Sequence, residues 1–307
     1  MHLIYHPNHF NNYIATVSIG LEHTKTWEKY ILPSWVSYCE RHGVGLVVFK
    51  EELIDKSHPK WKKSNWQRLL MGDQLKEIGA KNVCYLDTDI LINPTAPNVF
   101  DYHDENRISV VSISNHSFDY SRILRKIAFF RNRYLSPKYP LDSALFISKE
   151  DYFEYHNLPI QEDLFCSGFF VFNVENFSDF MKECFFKYPR DVHTITNGGD
   201  EPIINYEFQS HGKINWIDYR FQALWVDEMA DKYPFLYKEI DNQDLVRKCV
   251  QTTLSENYFL HFSGKWESGV YKDSGILSSE FLKELWDFHD YLKTPVTGKP
   301  VGPIYPE

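Results

Sequence analysis

The sequence predicts an α/β protein built on a doubly wound sheet. Three observations carry that expectation: apolar stretches without polar alternation at residues 13–19, 45–49 and 82–86, helical stretches between them, and glycines at the helix stops. A β-branched, unalternated run is what a strand covered on both faces requires. Strand, helix, strand, helix, strand is the pattern of a wound sheet, whose ligands collect beyond the carboxyl ends of its strands. Chemistry is therefore expected just after Ile19 and Leu86.

Residues 13–19 (YIATVSI) read as a central strand. Residues 26–42 then place Trp27, Tyr30, Ile31, Trp35 and Tyr38 at helical spacing, with Gly43 at the stop position. Residues 45–49 (GLVVF) supply a second buried strand. Residues 64–78 predict a helix with Trp66, Leu69, Leu70, Gln74, Leu75 and Ile78 on related faces, closed by Gly79. Residues 82–86 (NVCYL) are the third strand. Further strands are expected at 108–113 and 169–173, and helices around 177–186 and 279–291. No internal repeat is visible. The end of the chain, LKTPVTGKPVGPIYPE, is rich in proline and glycine, which predicts an extended tail over 294–307 behind a single domain spanning 1–293.

Composition narrows the function. With 307 residues, 43% of them hydrophobic, the chain can bury a core, and 14 glycines and 15 prolines are too few for a collagen-like or largely disordered protein. A formal net charge of -9 repels polyphosphate at long range, so no nucleic-acid partner is expected. A phosphorylated ligand must be met locally, a metal being one means. Cys39, Cys84, Cys166, Cys184 and Cys249 are dispersed and form no Cys-x-x-Cys pair, which argues against a disulfide framework or zinc knuckle and for a reducing, cytoplasmic setting. No window approaches the roughly 20 apolar residues that cross a bilayer, and no secretory leader is visible, so the Asn-x-Ser triplets at Asn115 and Asn176 read as chance.

The most informative stretch is residues 83–94, VCYLDTDILINP, in which an apolar strand delivers Asp87 and Asp89 at its carboxyl end. Two carboxylates at a strand-to-turn transition can hold a hard divalent cation, Mn²⁺ or Mg²⁺, and through it a diphosphate. Such a tripeptide also arises by chance as a solvated turn. Here apolar residues follow it, and burying two unpaired carboxylates among them would be costly without a cation. A haloacid-dehalogenase-type phosphatase also carries Asp-x-Asp, but on its first strand and followed by Gly-Thr, whereas Ile90 and Leu91 stand here.

Residues 258–266, YFLHFSGKW, form a second signal, a short apolar strand that ends in His261 and is followed by Ser263, Gly264 and Lys265. A neutral imidazole at His261 suits Mn²⁺, Gly264 lets the backbone approach a phosphate, and Lys265 can pair with its charge. By itself His261 reads more readily as a structural histidine. In residues 165–173, FCSGFFVFN, Ser167 and Gly168 precede an apolar strand and offer polar groups to a ligand, or simply a turn. In residues 197–205, NGGDEPIIN, Asp200 and Glu201 open a helix with Pro202 in its first turn, where an Asp can serve merely as a cap.

Taken together, and in this order, the four stretches resemble the GT-A nucleotide-sugar glycosyltransferases, in particular the glycogenin-like family 8 enzymes. That family runs an apolar strand into Asp-x-Asp, then a Ser-Gly segment, then Gly-Asp-Gln with an Asn four residues on, then His-Phe-x-Gly. The resemblance covers roughly residues 13–266. It implies a GT-A type, Rossmann-like doubly wound mixed sheet with helices on both faces. It further implies that Asp87, Asp89 and His261 share a Mn²⁺ gripping the diphosphate of a UDP-sugar. Val17 and Ser18 would lie along the base, Arg68 would face the phosphates or sugar, and Thr88, Ser167, Gly168, Gly264 and Lys265 would join Asp87 in donor contacts. Asp200 and Glu201 would be the catalytic carboxylates of a retaining transfer to a glycan or lipid-linked acceptor. The chain departs from the family at Cys166, where an Asn is usual, at Glu201, where a Gln is usual, and in the immediate Lys265, so the sugar stays open.

Two basic stretches remain. Residues 58–68, HPKWKKSNWQR, read as a solvated helix start containing Arg68. Residues 120–140 interleave Arg122, Arg125, Lys126, Arg131, Arg133 and Lys138 with Ile123, Leu124, Ile127, Phe129 and Phe130. They read either as an amphipathic helix with a solvated basic face or as an acceptor or peripheral membrane contact. Two other functions share parts of the pattern. A sugar-phosphate nucleotidyltransferase would carry a glycine-rich basic loop after the first strand, where IGLEHTKTW has only Gly20, and a carbohydrate-binding module would not need Asp87 and Asp89.

Overall fold

The computed structural model describes residues 1–8, 11–114, 118–134, 148–192, 199–263 and 270–293. Gly264, Lys265, Lys138, the Asn115 triplet and the tail 294–307 lie outside these.

The strands are β1 (His2–Tyr5), β2 (Asn12–Val17), β3 (Gly45–Phe49), β4 (Asn82–Leu86), β5 (Ile90–Ile92), β6 (Ile108–Val111), β7 (Phe169–Asn173), β8 (Ile214–Ile217), β9 (Ala223–Leu224) and β10 (Phe259–His261). Seven of them form a mixed sheet in the order β1-β3-β2-β4-β7-β6-β8. Strand β2 runs parallel to both β3 and β4, so the first apolar stretch is an interior strand as expected. Its alternate residues enter two different cores: Ile14 packs with Trp27, Trp35 and Phe169, while Ala15 packs with Trp66, Phe170 and Phe177. Both faces are therefore covered by helices, which is why the strand sequences lack polar alternation.

Two features turn this sheet into a site. Strand β7 is antiparallel to β4, with Leu86 opposite Phe169, so the residues leading into β7 stand beside those leaving β4. A second sheet, ordered β5-β10-β9, pairs His261 with Ile90 in antiparallel register. The turn Asp87–Asp89 thus links the two sheets.

Two helices and one strand depart from expectation. Residues 26–42 form not one helix but two, Leu21–Tyr30 and Leu32–His42. Pro33, in the first turn of the second, has no N–H to continue the ladder, and its ring would meet the carbonyl of the preceding turn. Residues 64–78 break into Ser64–Gln67, a 3₁₀ turn Arg68–Leu70, and Gly72–Glu77. Gly72 abuts Ser178, whose Oγ would lie 2.4 Å from a Cβ placed there, so tertiary contact rather than propensity shapes this segment. The strand expected at 108–113 ends at Val111, beyond which Ser112 pairs with Phe165 in an isolated bridge. Helices Val174–Lys187 and Ser279–Leu292 lie where the periodicity put them.

Candidate functional site

Asp87 and Asp89 leave the end of β4, and His261 ends β10, so one residue set comes from each sheet. One ligand atom from each of Asp87, Asp89 and His261 can be chosen so that all lie within 4.8 Å of one another. His261 Nε2 is 3.2 Å from Asp89 Oδ1, and the Phe262 N–H donates to the Asp89 carbonyl at 3.0 Å, which fixes the two backbones together. Two carboxylates and an imidazole form a donor set suited to Mn²⁺. Gly168 completes the cradle: a Cβ there would lie 2.5 Å from His261 Cε1 and 2.8 Å from Asp87 Oδ2. Only a residue without a side chain lets β7 begin this close to the cluster.

Arg68 occupies the buried side of the cluster. Its guanidinium lies 3.2 Å from Asp87 Oδ1 and 3.1 Å from Asp200 Oδ2, donates to the Ser167 carbonyl at 2.5 Å, and sits 4.6 Å over the Tyr85 ring. Tyr85 also donates to Asp87 Oδ1 at 2.6 Å, as side chains two apart leaving a strand share one face. Burial pushes Asp87 up, but Arg68, His261 and the Tyr85 hydroxyl together hold it below its ordinary value. Burial likewise lowers His261, yet Asp89 and Cys166 carry it well above the usual imidazole range. The Cys166 Sγ is 3.7 Å from His261 Nδ1.

Asp200 and Glu201, adjacent in sequence, have different surroundings. The Asp200 side chain makes no capping bond to its helix, Glu201–Ser210; it takes Asn65 Nδ2 at 3.3 Å and the Ser167 hydroxyl at 3.4 Å besides Arg68. Burial raises its pKa, and Arg68 only partly offsets this. Glu201 receives the Tyr152 hydroxyl at 3.3 Å and has no salt bridge among the described residues. Burial first, then the charge of Asp200, push it up to about 7. Asn205 steadies this helix start: its side chain bonds both Phe165 backbone groups, at 2.9 and 2.7 Å, and the Glu201 carbonyl at 3.0 Å.

Asp87, Asp89, His261, Arg68, Ser167, Gly168 and Asp200 therefore converge, with Glu201 one step along the same helix. Val17 and Ser18 stand at the end of β2, both buried, and the Ser18 hydroxyl is 3.1 Å from that of Thr24. Thr88 is held by His23 Nε2 at 2.6 Å. Sequence reasoning missed Tyr85, Asn65, Tyr152 and His23. Period-two spacing ahead of Asp87 could have found Tyr85, but the other three come from segments whose approach carries no local signal.

No protein-family model matches the sequence, and no curated protein matches it. Three solved structures similar over most of the chain are glycosyltransferases. The galactosyltransferase LgtC, in complex with donor and acceptor sugar analogues, has a TM-score of 0.47 and 14% identity over 92% of this chain and 96% of its own. A glycosyltransferase involved in glycosylation of the major capsid of PBCV-1 has a TM-score of 0.44 and 10% identity over 89% and 99%. Mouse xyloside xylosyltransferase 1, in its apo form, has a TM-score of 0.37 and 11% identity over 82% and 98%.

Proposed function

We propose that this chain is a GT-A type glycosyltransferase that moves a sugar from a UDP-sugar to a hydroxyl of a glycan or lipid-linked acceptor, retaining the anomeric configuration. The observation that carries this reading is the meeting of Asp87, Asp89 and His261 from two separate sheets. Solvated acidic turns do not recruit an imidazole that is only 3% exposed.

Asp87, Asp89 and His261 would hold Mn²⁺ or Mg²⁺, which supplies neutralising charge for a diphosphate leaving group. Arg68 fixes Asp87 and Asp200 in place and keeps Asp87 ionised. Gly168 and Ser167 present backbone to the donor, and Val17 and Thr88 border its nucleoside end, with Ser18 supporting them from beneath through Thr24. Asp200, already paired with Arg68, acts as a fixed negative charge that steadies positive charge on the sugar ring. Glu201, held by Tyr152 and with its pKa pushed to about 7, can orient the acceptor hydroxyl and take its proton. Lys265 and Gly264, outside the described residues, are assigned to the phosphates from their place after His261.

Titrating the full chain calorimetrically with UDP, with and without Mn²⁺, tests the reading. Tight binding only with metal, followed by Mn²⁺-dependent release of nucleoside diphosphate from one donor in a panel of nucleotide-sugars, is expected. Metal-independent binding and no release from any donor would overturn it.

A further inference from the structure

The helix Tyr120–Tyr134 carries a surface that the proposed transfer chemistry does not use. Its inward face, Ile123, Leu124 and Ile127, is buried in the core. Arg122, Arg125, Phe129 and Arg133 follow one another at steps of three and four, so they lie along a single line on the opposite, exposed side. Phe129 is 57% exposed. Arg122 and Arg125 make no ion pair among the described residues, whereas Lys126, at the edge of the same stripe, is paired with Asp231 at 3.0 Å. Lys238, from a neighbouring helix, adds a cation 5.3 Å above the Tyr134 ring.

We infer that this line of arginines and phenylalanine seats the protein on an anionic phospholipid surface. The net charge of -9 makes the stripe a local exception, so attraction acts in one orientation only. A helix lying in the interface buries a protruding aromatic at the acyl boundary and sets weakly hydrated guanidinium groups at the phosphates. A soluble polyanion would satisfy the arginines but leave Phe129 in water. Tyr120, at the start of the helix, is half-buried and packs against the core, and its hydroxyl feels the charges of Asp227 and Glu201, so the stripe begins near the proposed catalytic carboxylates. The inference is independent of the transfer reading; combined with it, a docked helix brings the cleft to lipid-linked hydroxyl acceptors.

Sedimentation of the full chain with vesicles of phosphatidylcholine, alone or mixed with phosphatidylglycerol, at low and raised salt, tests this. Binding to the anionic vesicles only, weakened by salt, is expected. The double variant Arg122→Glu, Arg125→Glu should lose more than about tenfold in partitioning, since each interfacial cation contributes about fivefold. Phe129→Ser should lose severalfold while keeping the salt dependence. Circular dichroism of both variants matching the parent keeps the comparison valid, because all three side chains are exposed. Equal binding to neutral vesicles, binding indifferent to the charge reversals, or retention on heparin without vesicle binding would each overturn the inference, the last reassigning the stripe to a soluble polyanion.

Discussion

His261 Nε2 lies 3.2 Å from Asp89 Oδ1 although most of the chain separates the two residues. The contact exists because β10 pairs with β5, the strand that immediately follows Asp89. The imidazole is thus placed by sheet register, and its position beside the carboxylates is as fixed as the hydrogen bonds between Leu260, His261 and their partners.

Replacing Asp89 by Ala should abolish metal-dependent UDP binding and transfer, a loss of at least about 100-fold, while leaving the fold intact because the side chain is 30% exposed. His261→Ala should weaken metal affinity less, since both carboxylates remain. Calorimetric Mn²⁺ titration of each variant checks the order, and an Asp89→Ala protein with unchanged turnover would remove the site from the mechanism.

Gly168→Ala inserts a methyl group where Asp87 Oδ2 and the His261 ring already stand. Metal affinity should fall by about tenfold or more, with a thermal transition lowered by the forced displacement. Parent-like Mn²⁺ affinity in this variant would show that the start of β7 does not shape the cluster.

Arg68→Met should destabilise the fold by about 3–5 kcal/mol, because it leaves Asp200 buried, and Asp87 partly buried, without their shared cation. Adding Asp200→Asn should recover part of the loss. Urea denaturation of the single and double variants measures the coupling, and strict additivity would contradict the buried triad.

Glu201 predicts a pH dependence of both rate and stability. Its neighbours are Asp200, Tyr152, Cys166 and the Ser167 backbone, and its carboxyl is raised from 4.5 to about 7. The unfolded chain loses this proton near the lower value and the folded protein near the higher one. The folded state therefore binds more protons between them, and stability falls with rising pH across that window, by at most about 3 kcal/mol. As a proton acceptor, Glu201 becomes competent only above its own pKa, so transfer should rise with pH through about 7. Glu201→Gln should flatten both profiles; pH-rate and pH-denaturation curves that keep their slopes in the variant would exonerate this carboxylate.

Much of the central sheet was legible because β2, β3, β4 and β7 are buried on both faces and their sequences record it directly. Asp87 and Asp89 were legible because carboxylates at the end of such a strand demand an explanation. The second sheet was not, apart from β10, which the apolar run ending in His261 announces: β5 and β9 are only three and two residues long, too short for any periodicity to register. The different surroundings of Asp200 and Glu201 were equally hidden. They depend on Arg68 reaching one and Tyr152 the other, contacts made by segments far away in the chain.

The separate small sheet has a mechanical corollary. Donor atoms hung on two plates mean that whatever grips Asp87, Asp89 and His261 together acts as a rivet between the two sheets, added to the core they share. Occupancy should then be readable at a distance, as slowed amide exchange in Ala223 and Leu224, which pair with Leu260 and His261.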